Sequence, residues 1–210
     1  MTSSTHFLEV VRRIPKQDRA ERRIQDILHS ADHLIGEKGI TGTTMTEIAQ
    51  ISGTSIGAIY QYFPNKETLV AALRSRCLKE LDVLLKPMAS DNAAADTTAL
   101  ADALANLLVA FSSKYPAYRH LFFSTEPDFR SEADDTRLLK RFRKLFSGYC
   151  RTLPEAQVNA VTETAVIIIK GLLDIGMRAP WEQHGQLVGE IKFALSSYLR
   201  GRCQRMLNSA

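Results

Sequence analysis

Cysteine is scarce in this chain: three in 210 residues, Cys77, Cys150 and Cys203, far apart and with no CxxC or Cys/His pairing. That spacing indicates neither a zinc site nor a disulfide framework, and predicts two buried free thiols and one near the tail, as in a reducing compartment. Long apolar runs are missing too. The N-terminal "FLEVV" is broken by Glu9 and stops at Arg12, too little for a signal peptide. The most apolar stretch, "AVIIIKGLLDIG" from Ala165, carries Lys170 and Asp174 and is too short to span a bilayer. A cytoplasmic protein, neither secreted nor membrane-embedded, is expected.

Catalytic signatures are absent as well. There is no GxSxG, no phosphate loop, no metal cluster and no pair of catalytic carboxylates, so neither an enzyme nor a cofactor is expected. His29 and His33 stand at i, i+4 with no cysteine nearby in sequence, and read as surface histidines. Excess charge is small. A net +4, with 45% hydrophobic and 24% charged residues, describes an ordinary globular chain whose overall field does not drive polyanion binding. Any site for a polyanion must come from local arrangement.

What the chain does have is helix after helix. Ile24, Ile27, Leu28, Ala31, Leu34 and Ile35 share one helical face from about Arg19, and Gly36 and Gly39 end it. Thr44 and Glu47 form a T-x-x-E capping box, so a short second helix runs from there to about Ser52. Gly53 supplies the turn, and a third short helix from Ser55 buries Ile59 and Phe63 before Pro64 stops it. Asn65 caps a longer fourth helix that ends at Lys86-Pro87. After a composition shift at "KPMASDNAAADTT", five further helical patterns follow: about Thr98–Lys114, a short one from Pro116, one from Ser131, one from Pro154 to Met177, and one from Gly185 to Leu199.

Two short helices joined by a glycine turn have the form of a DNA-binding helix-turn-helix. Gly57 and Ala58 leave the front of the third helix open to base edges, Tyr60 and Tyr62 offer hydroxyls to phosphates, and Lys66 offers a charge. No Arg or Lys occurs between Thr46 and Phe63, so a bidentate arginine on guanine is impossible. Base readout then falls to Gln61 on adenine and to Ile56 and Ala58 on thymine methyls.

The stretch "TTMTEIAQISGTSIGAIYQYFPNKETL", with "AERRIQDILHSADHLIGEKGI" before it, closely resembles the DNA-binding domain of TetR-family transcriptional regulators, "YQYFPNKE" most specifically. The likeness covers about Arg19 to Leu73. It implies that Thr44, Thr46, Ser55, Tyr60, Tyr62 and Lys66 face phosphates, and that Ile56, Gly57, Ala58 and Gln61 face the groove. Thr54 stands where the family usually has a buried Val, and Ser52 where it has Ala. The implied fold is all-α: a flexible basic arm over 1–18, a three-helix DNA-binding domain over 19–66, and a helical effector-binding and dimerisation domain over 67–210 joined to it by the long fourth helix. Between Glu9 and Arg23, across the arm and the start of the next domain, there are six basic residues against three acidic ones.

The resemblance also implies a homodimer on a pseudo-palindromic double-stranded operator, usually a repressor released by a small molecule. The sequence adds its own support. The second half of the Val158–Met177 helix is apolar nearly all round, as a helix covered on two sides must be, and Leu187, Val188, Ile191, Leu195 and Tyr198 offer a second stripe for a four-helix dimer interface. Aromatic residues crowd the middle helices. Phe111, Tyr115, Phe122, Phe142 and Phe146, with Ile168, are the expected contacts of an apolar or aromatic effector of unidentified structure.

Overall fold

Several helices begin at a residue whose side chain accepts from their first free N–H groups: Thr44, Ser55, Asn65, Asp96 and Ser131. The computed structural model describes residues 15–90, 96–122, 129, 131–178 and 184–203, and within them there are nine helices and no strand. The first, α1 (Pro15–Lys38), opens on a proline, whose missing N–H costs nothing at a first helical position. It therefore starts ahead of Arg19 and takes in the end of the arm expected over 1–18; residues 1–14 lie outside the described residues. Ile27, Leu28, Ala31, Leu34 and Ile35 are its buried stripe, as the periodicity predicts. At its end Gly39 takes a left-handed φ of 75° and donates its N–H to Ile35 O at 2.9 Å.

The next helix, α2 (Met45–Ile51), starts with the predicted capping box: Glu47 N–H donates to Thr44 Oγ1 at 3.2 Å, and Thr44 N–H to Glu47 Oε2 at 3.0 Å. Gly53 turns the chain with a φ of 62°. Then α3 (Ile56–Tyr62) begins at Ser55, whose Oγ accepts from Ala58 N–H. Thr54, the residue that departs from the usual Val, is buried with its hydroxyl donating to Ser52 O at 3.4 Å, so its polar atom is satisfied.

The long α4 (Lys66–Ser90) follows Asn65, whose Oδ1 accepts from Thr68 N–H at 2.8 Å. Leu69, Leu73, Cys77, Leu81 and Leu85 recur every four residues along its buried side. Each buried leucine contributes about 2 kcal/mol, which is why this helix belongs at once to the head and to the body. The sequence predicts its end at Lys86-Pro87, but the helix continues for another turn. Met88 and Ala89 pack half-buried on the core and Tyr149 donates its hydroxyl to Met88 O, contacts that hold this turn in place although Pro87 has no N–H to give.

The body comprises α5 (Thr97–Lys114), α6 (Tyr118–Phe122), α7 (Glu132–Tyr149), α8 (Glu155–Arg178) and α9 (His184–Cys203). Neighbours close a ring: α4 on α7, α7 on α8, α8 on α9, α9 on α5, and α5 on α4. The short α6 lies outside that ring, against α1 and α4. Close approach is enforced at Gly36 of α1, where a β-carbon would come within 2.9 Å of the Pro116 backbone carbon.

Two expectations are corrected here. Ile191 and Leu195, assigned to a dimer interface, are fully buried within the chain, because α9 turns that stripe onto its own α5 and α8. Among the described side chains of these helices, the large apolar ones left exposed are Ile167 of α8, 68% exposed, and Phe193 of α9, 69% exposed. The cysteines are not three separate thiols either. Cys150 and Cys203 form a disulfide, their Cα atoms 4.7 Å apart, and Cys77 alone is free. Spacing along the chain did not reveal the pair because the two residues end different helices, 53 positions apart.

Candidate nucleic-acid interface

Of the α3 side chains only Ile59 is buried, with Phe63 just beyond it, both in the hydrophobic core, and the helix packs on α2. The other faces are turned outward. Ile56 is 39% and Tyr60 49% exposed, Gly57 and Gln61 are exposed, and Ala58 and Tyr62 are half-buried. Ile56, which its spacing from Ile59 allows to be core, is thus a surface residue. A β-carbon on Gly57 would meet nothing within 4 Å, so the protein itself leaves that spot open. Thr44, Thr46 and Ser55 are exposed alongside, at the starts of α2 and α3. Thr44 and Ser55 already serve as helix caps, which fixes where their oxygens stand.

Lys66 is the residue whose place differs most from expectation. Its ammonium is turned inward and donates to the carbonyls of Ile40 at 3.0 Å, Thr43 at 3.1 Å and Thr41 at 3.5 Å. All three N–H groups are directed at the turn between α1 and α2. Lys66 therefore ties the start of α4 to that turn and holds the adjacent Thr44 in register. A second tie reinforces it. Lys38 and Glu47 pair at 2.7 Å, and this hydrogen bond, with those from Thr44, holds the Glu47 carboxyl down at about 2. Sequence offers a signal only for the capping half of this arrangement.

Behind the head lies a set of buried charges that the sequence does not announce. Asp32 of α1, 3% exposed, accepts the Ala117 N–H at 3.0 Å through one oxygen and faces Arg76 of α4 at 3.4 Å through the other. Burial pushes its carboxyl up from the usual range, against the pull of that N–H and that guanidinium. Arg74, two residues away on α4, is equally buried. It donates to Phe129 O, pairs with Asp134 of α7 at 3.8 Å and lies 5.3 Å from the Phe122 ring. Burial lowers the pKa of its guanidinium, and Asp134 and Asp135 raise it. Two arginines of one helix turn thus face opposite ways, one to the head and one to the body.

The expected effector contacts fall into two groups. Phe111, Tyr115 and Phe122 belong to one chain of rings in which Tyr118 is the link: Phe111 to Tyr115 at 4.7 Å, Phe111 to Tyr118 at 5.1 Å, Tyr118 to Phe122 at 5.0 Å. Phe142 and Phe146 stack at 6.1 Å on α7, and Ile168 is half-buried on α8. A separate groove of about 460 Å³ opens between α4 and α7, lined by Asp82, Leu85, Lys86, Ala89, Arg141 and Lys144. None of the six expected contacts lines it.

Comparison with known proteins bears on both halves. Residues 27–73 match the family model for bacterial regulatory proteins of the tetR family, and residues 96–199 match that for the tetracyclin repressor-like C-terminal domain. The HTH-type transcriptional regulator TtgR of Pseudomonas putida is 35% identical over 77 residues, 37% of this chain and 36% of the relative, so the match spans about a third of that regulator. The nucleoid occlusion factor SlmA of Glaesserella parasuis is 26% identical over 138 residues, 65% of this chain and 67% of that protein. Among solved structures, a TetR-family transcriptional regulator from Streptomyces coelicolor has a TM-score of 0.67 at 22% identity, covering 86% of this chain and 99% of its own, a likeness of fold. No helix among the described residues is long and apolar enough to cross a membrane. With a helix-turn-helix head and an all-helical body each matched in its proper place, the chain belongs to the tetR family of DNA-binding transcriptional regulators, which are not enzymes.

Proposed function

We propose that this protein is a homodimeric repressor that occupies a pseudo-palindromic operator and is released from it by an apolar or aromatic small molecule. The observation that carries the DNA-binding part is the outward face of α3, where Ile56, Tyr60 and Gln61 are exposed around a single buried anchor, Ile59. Gln61 is suited to adenine, Ile56 and Ala58 to thymine methyls, and Tyr60 and Tyr62, with Thr44, Thr46 and Ser55, to phosphate oxygens. Lys66 acts as a positioning residue beneath them. DNA binding of this kind places the protein with the chromosome in the cytoplasm.

Dimerisation is supported by Ile167 and Phe193, two large apolar side chains exposed on neighbouring helices of one chain. Gly171 and Gly189 lie near them in sequence, with open space at both, so a partner's helices can approach closely. A two-fold pair of heads then reads two half-sites roughly 34 Å apart, one turn of DNA, or a multiple of that. Release is supported by α6. The ring chain from Phe111 to Phe122 ends in this short helix, which rests on α1 of the head, so a molecule that wedges the rings apart shifts the head.

Sequencing the DNA fragments retained by the purified protein tests the reading. Enrichment of one inverted repeat is expected, followed by its loss from the protein when an apolar ligand binds. Retention of fragments without a shared sequence would overturn it.

A further inference from the structure

Cys150 ends α7 and Cys203 ends α9, and the structure joins them by a disulfide. Each is the last member of a buried row spaced every four residues: Leu138, Phe142, Phe146 and Cys150 on one helix, Ile191, Leu195, Leu199 and Cys203 on the other. We propose that this pair is a site of reversible thiol–disulfide modification, at which a peroxide fastens α7 to α9 and a dithiol reductant releases it. The inference rests on the reading of the chain as a regulator that works beside the chromosome. In that reducing compartment disulfides are transient and redox-sensing, whereas permanent ones belong to secreted proteins.

Position favours reaction at this pair and not at the third cysteine. All three cysteines are buried, and what sets the pair apart is that each faces the other, whereas Cys77 lies in the middle of α4 with no second cysteine bonded to it. Cys150 and Cys203 lie in final turns, which open locally more readily than helix centres. One thiolate attacks a peroxide oxygen, the O–O bond breaks, and a sulfenic acid forms with loss of hydroxide. The second thiolate then displaces hydroxide from that sulfur and the S–S bond forms. In sum, two thiols and one hydrogen peroxide give one disulfide and two waters. A dithiol reverses this through a mixed disulfide and is itself oxidised.

The fastening bears on the rest of the molecule because α7 is also held to α4. Arg141 pairs with Asp82, and the Tyr149 hydroxyl, next to Cys150, donates to Met88 O. Closing or opening the S–S bond therefore tightens or loosens the turn of α7 that supports the end of α4.

Alkylation of the whole purified protein, followed by denaturation, a second label and mass spectrometry, tests this without any DNA. After dithiothreitol all three cysteines are expected to be thiols; after equimolar hydrogen peroxide only Cys77 is, and the cycle repeats without loss. The oxidised form is expected to melt about 10 °C above the reduced form, and C150A/C203A to ignore peroxide. Three thiols remaining after peroxide, consumption of Cys77 in place of the pair, or a bond that dithiothreitol cannot open in the folded protein would each overturn the proposal. Failure to retain DNA, in contrast, counts only against the regulatory reading.

Discussion

Asp32 and Ala117 stand 85 positions apart in sequence, yet the carboxylate of one accepts the backbone N–H of the other at 3.0 Å inside the protein. This bond joins the first helix of the DNA-binding head to the start of α6, and Arg76 of α4 meets the same carboxylate. Asp32→Ala strands both an N–H and a guanidinium in a buried place, and an expected loss of about 3 kcal/mol in urea unfolding follows. Asp32→Asn keeps one acceptor oxygen and is expected to lose less. Its acid behaviour is a further check. The folded carboxyl titrates above its unfolded value because burial dominates, so its contribution is greatest when protonated and falls as pH rises through the folded pKa. Removing the titrating group by Asp32→Asn should flatten that part of the stability profile.

Glu47 has the opposite sign. Its carboxyl is held at about 2 by Lys38 and Thr44, below its ordinary value near 4.5. The stability it contributes is present above the unfolded value and is lost as pH falls from about 4.5 through about 2. Glu47→Gln removes the Lys38 ion pair but retains part of the capping box, and should lower the melting temperature at pH 7 while leaving it nearly unchanged near pH 2. An equal loss at both pH values would show that the ion pair is not responsible.

Lys66 separates two accounts of the head. Three carbonyls already receive its N–H groups, so Lys66→Ala should cost about 2 kcal/mol of stability, the worth of charged hydrogen bonds, and leave the salt dependence of DNA binding unchanged. Tyr60→Phe and Gln61→Ala, on exposed side chains, should leave melting alone and alter binding. Titrations at several salt concentrations, beside melting curves, read both effects. A salt slope reduced by about 1 with unaltered melting would return the Lys66 ammonium to the phosphates.

Local chemistry made most of the fold legible. Thr44 with Glu47, Ser55, Asn65 and Ser131 are capping residues whose effect is confined to one turn, and the stripes of α1 and α4 repeat at a period that only a helix satisfies. What stayed hidden depends on which helix ends meet in space. Nothing in the residues around Asp32 names Ala117, and nothing around Cys150 names Cys203. Lys66 reads as a free cation until the Ile40–Thr43 turn is folded against it. The direction of α9 is a similar case, since an apolar stripe looks the same whether its own chain or another covers it.

That last ambiguity is now open to a mutational test. Ile191 lies in the body core and Phe193, two residues on, faces outward. If a second copy covers Phe193, then Phe193→Glu places a charge in an apolar contact of two chains, and an at least tenfold weaker dimer, about 1.4 kcal/mol, is expected with helicity unchanged. Ile167→Glu on α8 should act in the same way. Ile191→Glu forces a charge into the interior of a single chain and should unfold it at any concentration. Sedimentation gives the association constant and circular dichroism the fold. A Phe193→Glu protein that remains a dimer at nanomolar concentration would move the interface away from the face formed by Ile167 and Phe193.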